Sequence, residues 1–202
     1  MDNPILVVAL TLSGYLAGSI PFGLVASKAF GTPDPRTAGS RNVGFTNVLR
    51  IGGKKAGISA LAGDMGKGWL VAWVAAHWLT DEVSVLIVAL ASILGHLYSV
   101  FLAFHGGKGV ATALGAIMGV TPAIGVSMLV IWLLAVLLWR YSSGGALAAF
   151  GFFPLLSVVF RQSHIFLGFA CVVTALIWFR HRDNVVRLWS GTESRIGQTT
   201  KS

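Results

Sequence analysis

The sequence contains few charged residues, which excludes an ordinary soluble domain. Charged side chains make up 11% of the 202 residues, whereas a soluble domain carries about 25%. Hydrophobic residues reach 55%. This composition indicates a protein that crosses a membrane several times.

Patterns that would indicate other kinds of chemistry are missing. Cys171 is the only cysteine, so no intrachain disulfide can form, and its apolar neighbours predict a buried, inert thiol. No cluster has the spacing of zinc ligands, and no run of paired aspartates is present for magnesium. There is no Gly-x-Ser-x-Gly elbow, no Walker A loop and no His-x-x-x-x-Asp pair. We therefore expect neither a metal nor another cofactor.

Seven apolar stretches alternate with short polar segments. A membrane-spanning helix needs about 20 apolar residues, and fewer if it is short or re-entrant. The predicted spans are residues 4–27, 56–79, 83–104, 109–120, 122–140, 145–160 and 163–180. The expected fold is an all-α integral membrane protein, a bundle of seven transmembrane helices that forms a single membrane-embedded domain over residues 1–202.

The distribution of cations predicts the orientation. With the N-terminus outside, every lysine and arginine except Arg161 falls on the cytosolic side, where these residues are enriched in membrane proteins. The C-terminal tail from His181 is then cytosolic. Because the net charge of +8 is explained by topology, we expect no nucleic-acid partner.

Four polar segments interrupt the apolar pattern, and this orientation places all of them on the cytosolic side. They are residues 39–50, 105–109, 140–145 and 180–184. Each combines hydroxyl, amide or imidazole side chains with at least one cation, and the first three also contain glycine, a mixture that suits a phosphate group. The pattern indicates an enzyme that handles a phosphorylated small molecule beside lipid.

The first segment offers both neutral donors and a cation to an anion. The neutral donors are Ser40, Asn42, Thr46 and Asn47. Arg50 adds a planar guanidinium that matches phosphate oxygens. A structural alternative stays open, in which Thr46 caps a short helix that ends at Gly52-Gly53.

In the second segment, Lys108 follows Gly106 and Gly107 at the start of a predicted helix. Free backbone N–H groups and the helix dipole favour an anion there, and the ammonium adds a mobile charge. The alternative is a cytosolic membrane anchor, although a cation at a helix N-terminus is locally unfavourable.

Three ionisable residues fall within predicted spans. Asp64 and Lys67 lie one helical turn apart, either as a proton relay or catalytic carboxylate or as a structural ion pair. His96 is either a base or a hydrogen-bonded packing residue. In the last two segments, Ser143 lies at a helix start, and His181 and Asn184 share a face if their segment is helical.

Taken together, these segments resemble the bacterial acyl-phosphate:glycerol-3-phosphate acyltransferases, the PlsY family, over nearly the whole chain. The resemblance is carried by Gly39-Ser40-x-Asn42-x-Gly44-x-Thr46-Asn47-Val48-x-Arg50, Asp64-x-x-Lys67-Gly68, Gly95-His96-x-x-x-Val100-Phe101, Gly106-Gly107-Lys108-Gly109-Val110-Ala111-Thr112, Ser143 and Arg180-His181-x-x-Asn184-x-x-Arg187-Leu188. The chain departs from the family's commonest pattern at Arg41, where glycine is usual, and at Phe45, where alanine is usual.

The resemblance implies a multi-pass enzyme of the bacterial inner (cytoplasmic) membrane with its active site facing the cytosol. It would transfer a fatty acyl group from acyl phosphate to the 1-hydroxyl of sn-glycerol 3-phosphate, giving lysophosphatidic acid and phosphate. This reaction is the first acylation step of bacterial phospholipid synthesis. The implied partners are acyl phosphate, sn-glycerol 3-phosphate, membrane lipid and, through a functional hand-off, an enzyme that forms acyl phosphate.

On this basis, catalytic roles are expected for Lys108, Arg50 and His96. The expected substrate-binding residues are Ser40, Asn42, Thr46, Asn47, Gly106, Gly107, Ser143, His181 and Asn184. The acceptor of the hydroxyl proton stays open between a substrate phosphate oxygen and His96. Two other functions also stay open, namely a transporter of phosphorylated metabolites and a non-catalytic membrane assembly factor.

Overall fold

The computed structural model describes residues 2–197, which form ten α-helices and one 3₁₀ turn. The all-helical class predicted from the sequence is confirmed. Lys201, one of the cations used to predict the orientation, lies outside the described residues. The chain divides after Pro122 into two compact units, and the assignment of all 202 residues to a single domain stays a prediction.

The first unit contains five helices that precede Pro122. They are α1 (Pro4–Ser19), α2 (Phe22–Ala29), α3 (Phe45–Trp78), α4 (Glu82–Leu97) and α5 (Val110–Val120), with the 3₁₀ turn at Val100–Leu102. The second unit contains the other five. They are α6 (Pro122–Trp139), of which only Pro122 belongs to the first unit, α7 (Ser142–Gly151), α8 (Phe153–Val159), α9 (His164–Arg180) and α10 (Arg182–Trp189).

Some of these helices are long and apolar enough to cross a bilayer. Within residues 2–197 there are three such stretches, Glu82–Leu102, Pro122–Trp139 and Ser142–Val159. The number rises to five if the bent pairs α1–α2 (43°) and α9–α10 (61°) each form one span. The predicted number of seven spans and the orientation stay predictions.

Two predicted spans are interrupted by prolines. The stretch predicted at 4–27 bends between α1 and α2, because Pro21 lacks a backbone N–H and cannot continue the helix. The stretch predicted at 145–160 starts earlier, at Ser142, and breaks at Phe152, with Pro154 in the first turn of α8. Proline is favoured in a first turn, where its missing N–H has no helical partner.

The helix predicted at 56–79 begins earlier than expected. Helix α3 starts at Phe45, kinks at Gly53, where φ is 77°, and then runs to Trp78. The short helix predicted to end at Gly52-Gly53 is therefore present as the first part of α3, and it ends at the kink at Gly53. The expectation that Thr46 could cap it is wrong, because Gly44 holds the N-cap position.

Cys171 corrects another expectation, because its side chain on α9 is exposed rather than buried. An apolar run in a membrane helix supplies a lipid-facing side as well as a packed side, so apolar neighbours alone do not predict burial in protein.

Glycines bring the helices of the first unit into close backbone contact. A Cβ added to Gly68 of α3 would overlap the carbonyl of Thr112 in α5, and one added to Gly115 of α5 would overlap the carbonyl of Met65. Gly95 of α4 likewise lies against the carbonyl of Tyr15 in α1. Because lipid is as apolar as the side chains, membrane helices associate mainly through close packing. Small residues at such contacts let the backbones approach closely.

Aromatic rings form the core of the second unit. Phe153 at the start of α8 makes edge-to-face contacts with Phe150, Phe166 and Phe169, at centroid distances of 6.4, 5.9 and 6.3 Å. This is the arrangement that the charge distribution of aromatic rings favours. It joins α7, α8 and α9.

The glycine contacts predict the effect of a single methyl group. Gly115→Ala should lower the free energy of unfolding by about 1–3 kcal/mol, because the new Cβ forces α5 away from α3. Gly66→Ala on α3 is the matched control, since no atom lies within 4 Å of its added Cβ, and it should be neutral or stabilising. Thermal unfolding in detergent measures both variants. Equal melting temperatures for the two would contradict the close contact.

Candidate active site

The loop between α2 and α3 is shaped by one buried side chain. The Oδ1 atom of Asn47 accepts a hydrogen bond from the backbone N–H of Ser40 at 2.8 Å. Its Nδ2 donates to the carbonyls of Pro35, Ala38 and Asn42 at 3.0, 3.1 and 2.9 Å. Asn47 thus binds the loop backbone through both polar atoms, and its role in binding substrate stays a prediction.

The same loop contains left-handed backbone. Gly39 has φ 61° and Arg41 has φ 55°. Arg41 therefore adopts a conformation that glycine reaches at lower cost, at a position where glycine is usual in the family that the chain resembles. The backbone N–H of Gly44 donates to Oδ1 of Asn42 at 2.8 Å and closes the turn. The loop leaves Ser40 exposed and Arg50 of α3 partly exposed.

The glycine junction, residues 106–108, is bound to the end of α4. The backbone N–H of Gly106 donates to the carbonyl of Leu97 at 3.2 Å, and that of Gly107 donates to the carbonyl of His96 at 3.1 Å. A Cβ on Gly106 would overlap the carbonyl of His96, and one on Gly107 would overlap Nε2 of the His96 ring. Lys108 follows directly. Gly109, with φ 83°, is the N-cap of α5. Glycine is required here because the chain approaches α4 so closely.

A buried polar cluster lies beside this junction, inside the first unit. The Nζ atom of Lys67 is 2.8 Å from Oδ1 of Asp64, donates to the carbonyl of Ile20 at 2.6 Å and lies 3.0 Å from Nδ1 of His96. The Asp64 Oδ1 is 3.4 Å from the same His96 nitrogen. The structural ion pair considered from the sequence is therefore present, and it includes His96.

In the second unit, a carboxylate brings together three of the polar side chains. Oε1 of Glu193 accepts hydrogen bonds from Oγ of Ser143 and from Nδ2 of Asn184, both at 2.7 Å. Its Oε2 accepts from Nε of Arg187 at 2.7 Å. The chain after α10 is also held at Arg140, which exchanges hydrogen bonds with the backbone of Ile196. Ser143 and Asn184 are thus brought together by a residue that the sequence analysis did not identify.

His181 lies at the junction of α9 and α10 and is buried. Its Nδ1 is 2.8 Å from the carbonyl of Ile177. A carbonyl can only accept, so Nδ1 carries the proton in this contact. The predicted common face of His181 and Asn184 is consistent with the helical turn that links their backbones.

The pKa of Glu193 lies below the ordinary value of a glutamate. Burial raises this pKa, but the hydrogen bonds from Ser143, Asn184 and Arg187, together with the charge of Arg187, outweigh the effect of burial. The carboxylate is therefore charged at neutral pH. It can act as the acceptor that holds the tail against α7 and α10.

The chain is similar to known proteins over nearly its whole length. Residues 8–191 match the family described as glycerol-3-phosphate acyltransferase. The glycerol-3-phosphate acyltransferase of Burkholderia ambifaria is 48% identical over 198 residues, covering 97% of this chain and 93% of the relative. That of Paraburkholderia phymatum is 46% identical over 207 residues, covering 100% and 96%.

Two solved structures are also similar. Both are of PlsY (YgiH), an integral membrane glycerol 3-phosphate acyltransferase. Its glycerol 3-phosphate form matches with a TM-score of 0.90 and 41% identity over 95% of this chain and 96% of that chain. Its lysophosphatidic acid form matches with a TM-score of 0.88 and 40% identity over 95% of each chain.

The hydrogen bonds of Asn47 predict the effect of exchanging its amide for a carboxylate. Asn47→Asp removes the donor and places a negative charge beside three carbonyl oxygens, so the loop should open and become more accessible to proteases. Asn3→Asp is the matched control, because Asn3 only accepts a hydrogen bond, from the N–H of Ile5. Limited proteolysis of residues 30–44 measures the difference. Equal cleavage rates for the two variants would contradict this role of Asn47.

The lowered pKa of Glu193 predicts how docking of the tail depends on pH. A group whose pKa is depressed by folding stabilises the folded state above its unfolded pKa, about 4 for glutamate, and this stabilisation is lost as pH falls through the lower folded pKa. The protection of residues 190–197 against hydrogen exchange, relative to the intrinsic rate at each pH, should therefore be retained at neutral pH and fall below about pH 4. Glu193→Gln, which cannot ionise, should show faster exchange at neutral pH and less change on acidification. The same pH dependence in both proteins would contradict the assignment to Glu193.

Proposed function

Because the chain belongs to the glycerol-3-phosphate acyltransferase family, we propose that it transfers a fatty acyl group from acyl phosphate to the 1-hydroxyl of sn-glycerol 3-phosphate. The products are lysophosphatidic acid and phosphate. One observation carries this proposal, the similarity over 95% of the chain to a structure of PlsY in its glycerol 3-phosphate form. Acyl phosphate as the donor is the more specific part, and it rests on the resemblance in the motifs.

The first unit supplies the groups proposed to neutralise phosphate. Ser40 lies in the loop that Asn47 shapes, and Arg50 lies on α3 one turn after Asn47. A guanidinium can bind two phosphate oxygens at once. Lys108 lies at the glycine junction just before α5. Its ammonium is at the end of a flexible side chain, so it can stay in contact with a phosphate whose position changes during the reaction. We assign Arg50 and Lys108 to charge stabilisation and Ser40 to orientation.

The chemical step needs no covalent enzyme intermediate, because phosphate is already a good leaving group. The 1-hydroxyl oxygen attacks the acyl carbonyl carbon, the bond from that carbon to the phosphate oxygen breaks, and phosphate leaves. The hydroxyl proton passes to a phosphate oxygen of the substrate. Holding the two reactants in place can supply several kcal/mol, and each preorganised donor about 3 kcal/mol.

The remaining expected residues complete the proposal. In the first unit, Asn42 of the loop, Thr46 in the first turn of α3 and the two glycines of the junction contribute to substrate binding. In the second unit, the residues proposed to bind substrate are Ser143, His181 and Asn184. The enzyme is proposed to act in the bacterial inner membrane with its site facing the cytosol, where it receives acyl phosphate from the enzyme that forms it.

The reaction is tested with purified protein, acyl phosphate and radiolabelled glycerol 3-phosphate, without coenzyme A or acyl carrier protein. Labelled lysophosphatidic acid is the expected product. Lys108→Ala and Arg50→Ala should each lower kcat/KM by about a hundredfold to a thousandfold, the usual effect of removing a group that stabilises developing charge. Lys55→Ala, which removes an exposed cation from α3, is the matched control and should leave activity unchanged.

Three outcomes would contradict the proposal. Product formed from acyl coenzyme A but not from acyl phosphate would show that the donor is wrong. Counterflow of glycerol 3-phosphate in proteoliposomes without product would favour a transporter. Full activity in Lys108→Ala and Arg50→Ala would remove both residues from the site.

A further inference from the structure

The buried cluster beside the glycine junction determines where His96 carries its proton. The Nζ atom of Lys67 has three polar neighbours, the carbonyl of Ile20 at 2.6 Å, Oδ1 of Asp64 at 2.8 Å and Nδ1 of His96 at 3.0 Å. An ammonium has three protons and no lone pair, so it can only donate. Nδ1 of His96 must therefore accept, and in a neutral ring the proton then lies on Nε2.

The neighbours of the ring disfavour a proton on Nδ1. A proton on Nδ1 would point at the ammonium of Lys67, 3.0 Å away. The charged groups facing His96 are Asp64 and Lys67, both from α3, while the neighbouring end of α1 contributes the Ile20 carbonyl. Asp64 and Lys67 form an ion pair at 2.8 Å.

The protonated edge of the ring points at the glycine junction. Of the His96 ring atoms, Nε2 lies nearest to the position of an added Cβ on Gly107, closer than Cδ2 and Cε1 at 3.2 Å. The carbonyl of His96 accepts from the N–H of Gly107 at 3.1 Å. Both the backbone and the side chain of His96 therefore contact the segment that leads directly to Lys108.

We propose that His96 is a positioning residue: Lys67 fixes its tautomer, and its ring, packed against Gly107, together with its backbone carbonyl holds the glycine junction in the shape that binds phosphate. A nitrogen that already carries a proton cannot accept the one released by the substrate hydroxyl. This inference rests on the proposed function for the role of the junction. Asp64 and Lys67 then contribute to substrate binding indirectly, through His96 and the glycine junction.

The tautomer is measured directly by ¹⁵N NMR of histidine-labelled protein in detergent, with His96 assigned from its absence in His96→Gln. We expect an unprotonated nitrogen at Nδ1 and a protonated one at Nε2. In Lys67→Met the ammonium is gone, and Asp64 Oδ1 is the remaining charged group at 3.4 Å. The proton should then move to Nδ1. A proton on Nδ1 in the wild type overturns the proposal, even if the Lys67 variant fails to fold.

Enzyme kinetics test the positioning role. His96→Ala should raise KM for glycerol 3-phosphate about tenfold, because the junction loses the ring that packs against Gly107 and the phosphate is misplaced, with kcat changed by less than about threefold. His96→Gln fills part of the space of the ring and should bring KM part of the way back to the wild-type value. His77→Gln is the matched control, because His77 is exposed on α3 and contacts the carbonyl of Trp73. It should match the wild type.

Two kinetic outcomes would overturn the inference. A fall in kcat that approaches that of Lys108→Ala in both His96 variants, with a wild-type pH–rate profile that loses activity as a histidine becomes protonated, would make His96 the base. If His96→Ala folds and its KM for glycerol 3-phosphate is unchanged, His96 does not position the glycine junction. If the wild type makes no product, the proposed function fails, but the NMR result still decides the tautomer.

Discussion

The first unit depends on the burial of one ammonium group. Lys67 is buried among apolar helices, and its three polar neighbours come from α3, from the end of α1 and from α4. Removing one partner from a buried ion pair commonly costs about 3–5 kcal/mol, because the other charge is left uncompensated. The three helices must therefore be in register before this lysine can be buried. Because His96 also contacts Gly107, the same requirement extends to the glycine junction.

The ammonium can reach all three partners only because the helices approach closely. Gly18 of α1 lies against the carbonyl of Ser92 in α4, and Gly95 of α4 lies against the carbonyl of Tyr15, so these backbones are in direct contact. Gly68, one residue after Lys67, makes the equivalent contact between α3 and α5. A side chain at any of these positions would separate the helices. The glycines and Lys67 are thus parts of one arrangement. The glycines set the short distances between the helices, and Lys67 needs those distances to reach its three partners.

Composition and spacing predicted the class of the protein and the polar segments, because these depend on local patterns of apolar residues, glycines and cations. The family was indicated by the resemblance of the motifs within those segments. Pro21 and Pro154 could also have located the bends, since proline cannot continue a helix interior. The partner of Ser143 and Asn184 could not be found in this way. Glu193 lies 50 residues from Ser143, and no periodicity relates two positions that far apart. The link between Lys67 and His96 was hidden for the same reason, because it joins two helices.

A charge also fixes the direction of the hydrogen bonds made by neutral groups beside it, and the two units use charges of opposite sign. In the first unit Lys67 makes Nδ1 of His96 an acceptor. In the second, Glu193 makes donors of Ser143 and of the Asn184 amide. Ser143 has a single hydroxyl proton and donates it to Glu193, so in this arrangement it can meet a ligand only as an acceptor. A phosphate oxygen would find no donor there, whereas a substrate hydroxyl would find an acceptor. If Ser143 binds substrate as proposed, its bond to Glu193 favours contact with the hydroxyl end of the substrate rather than with the phosphate.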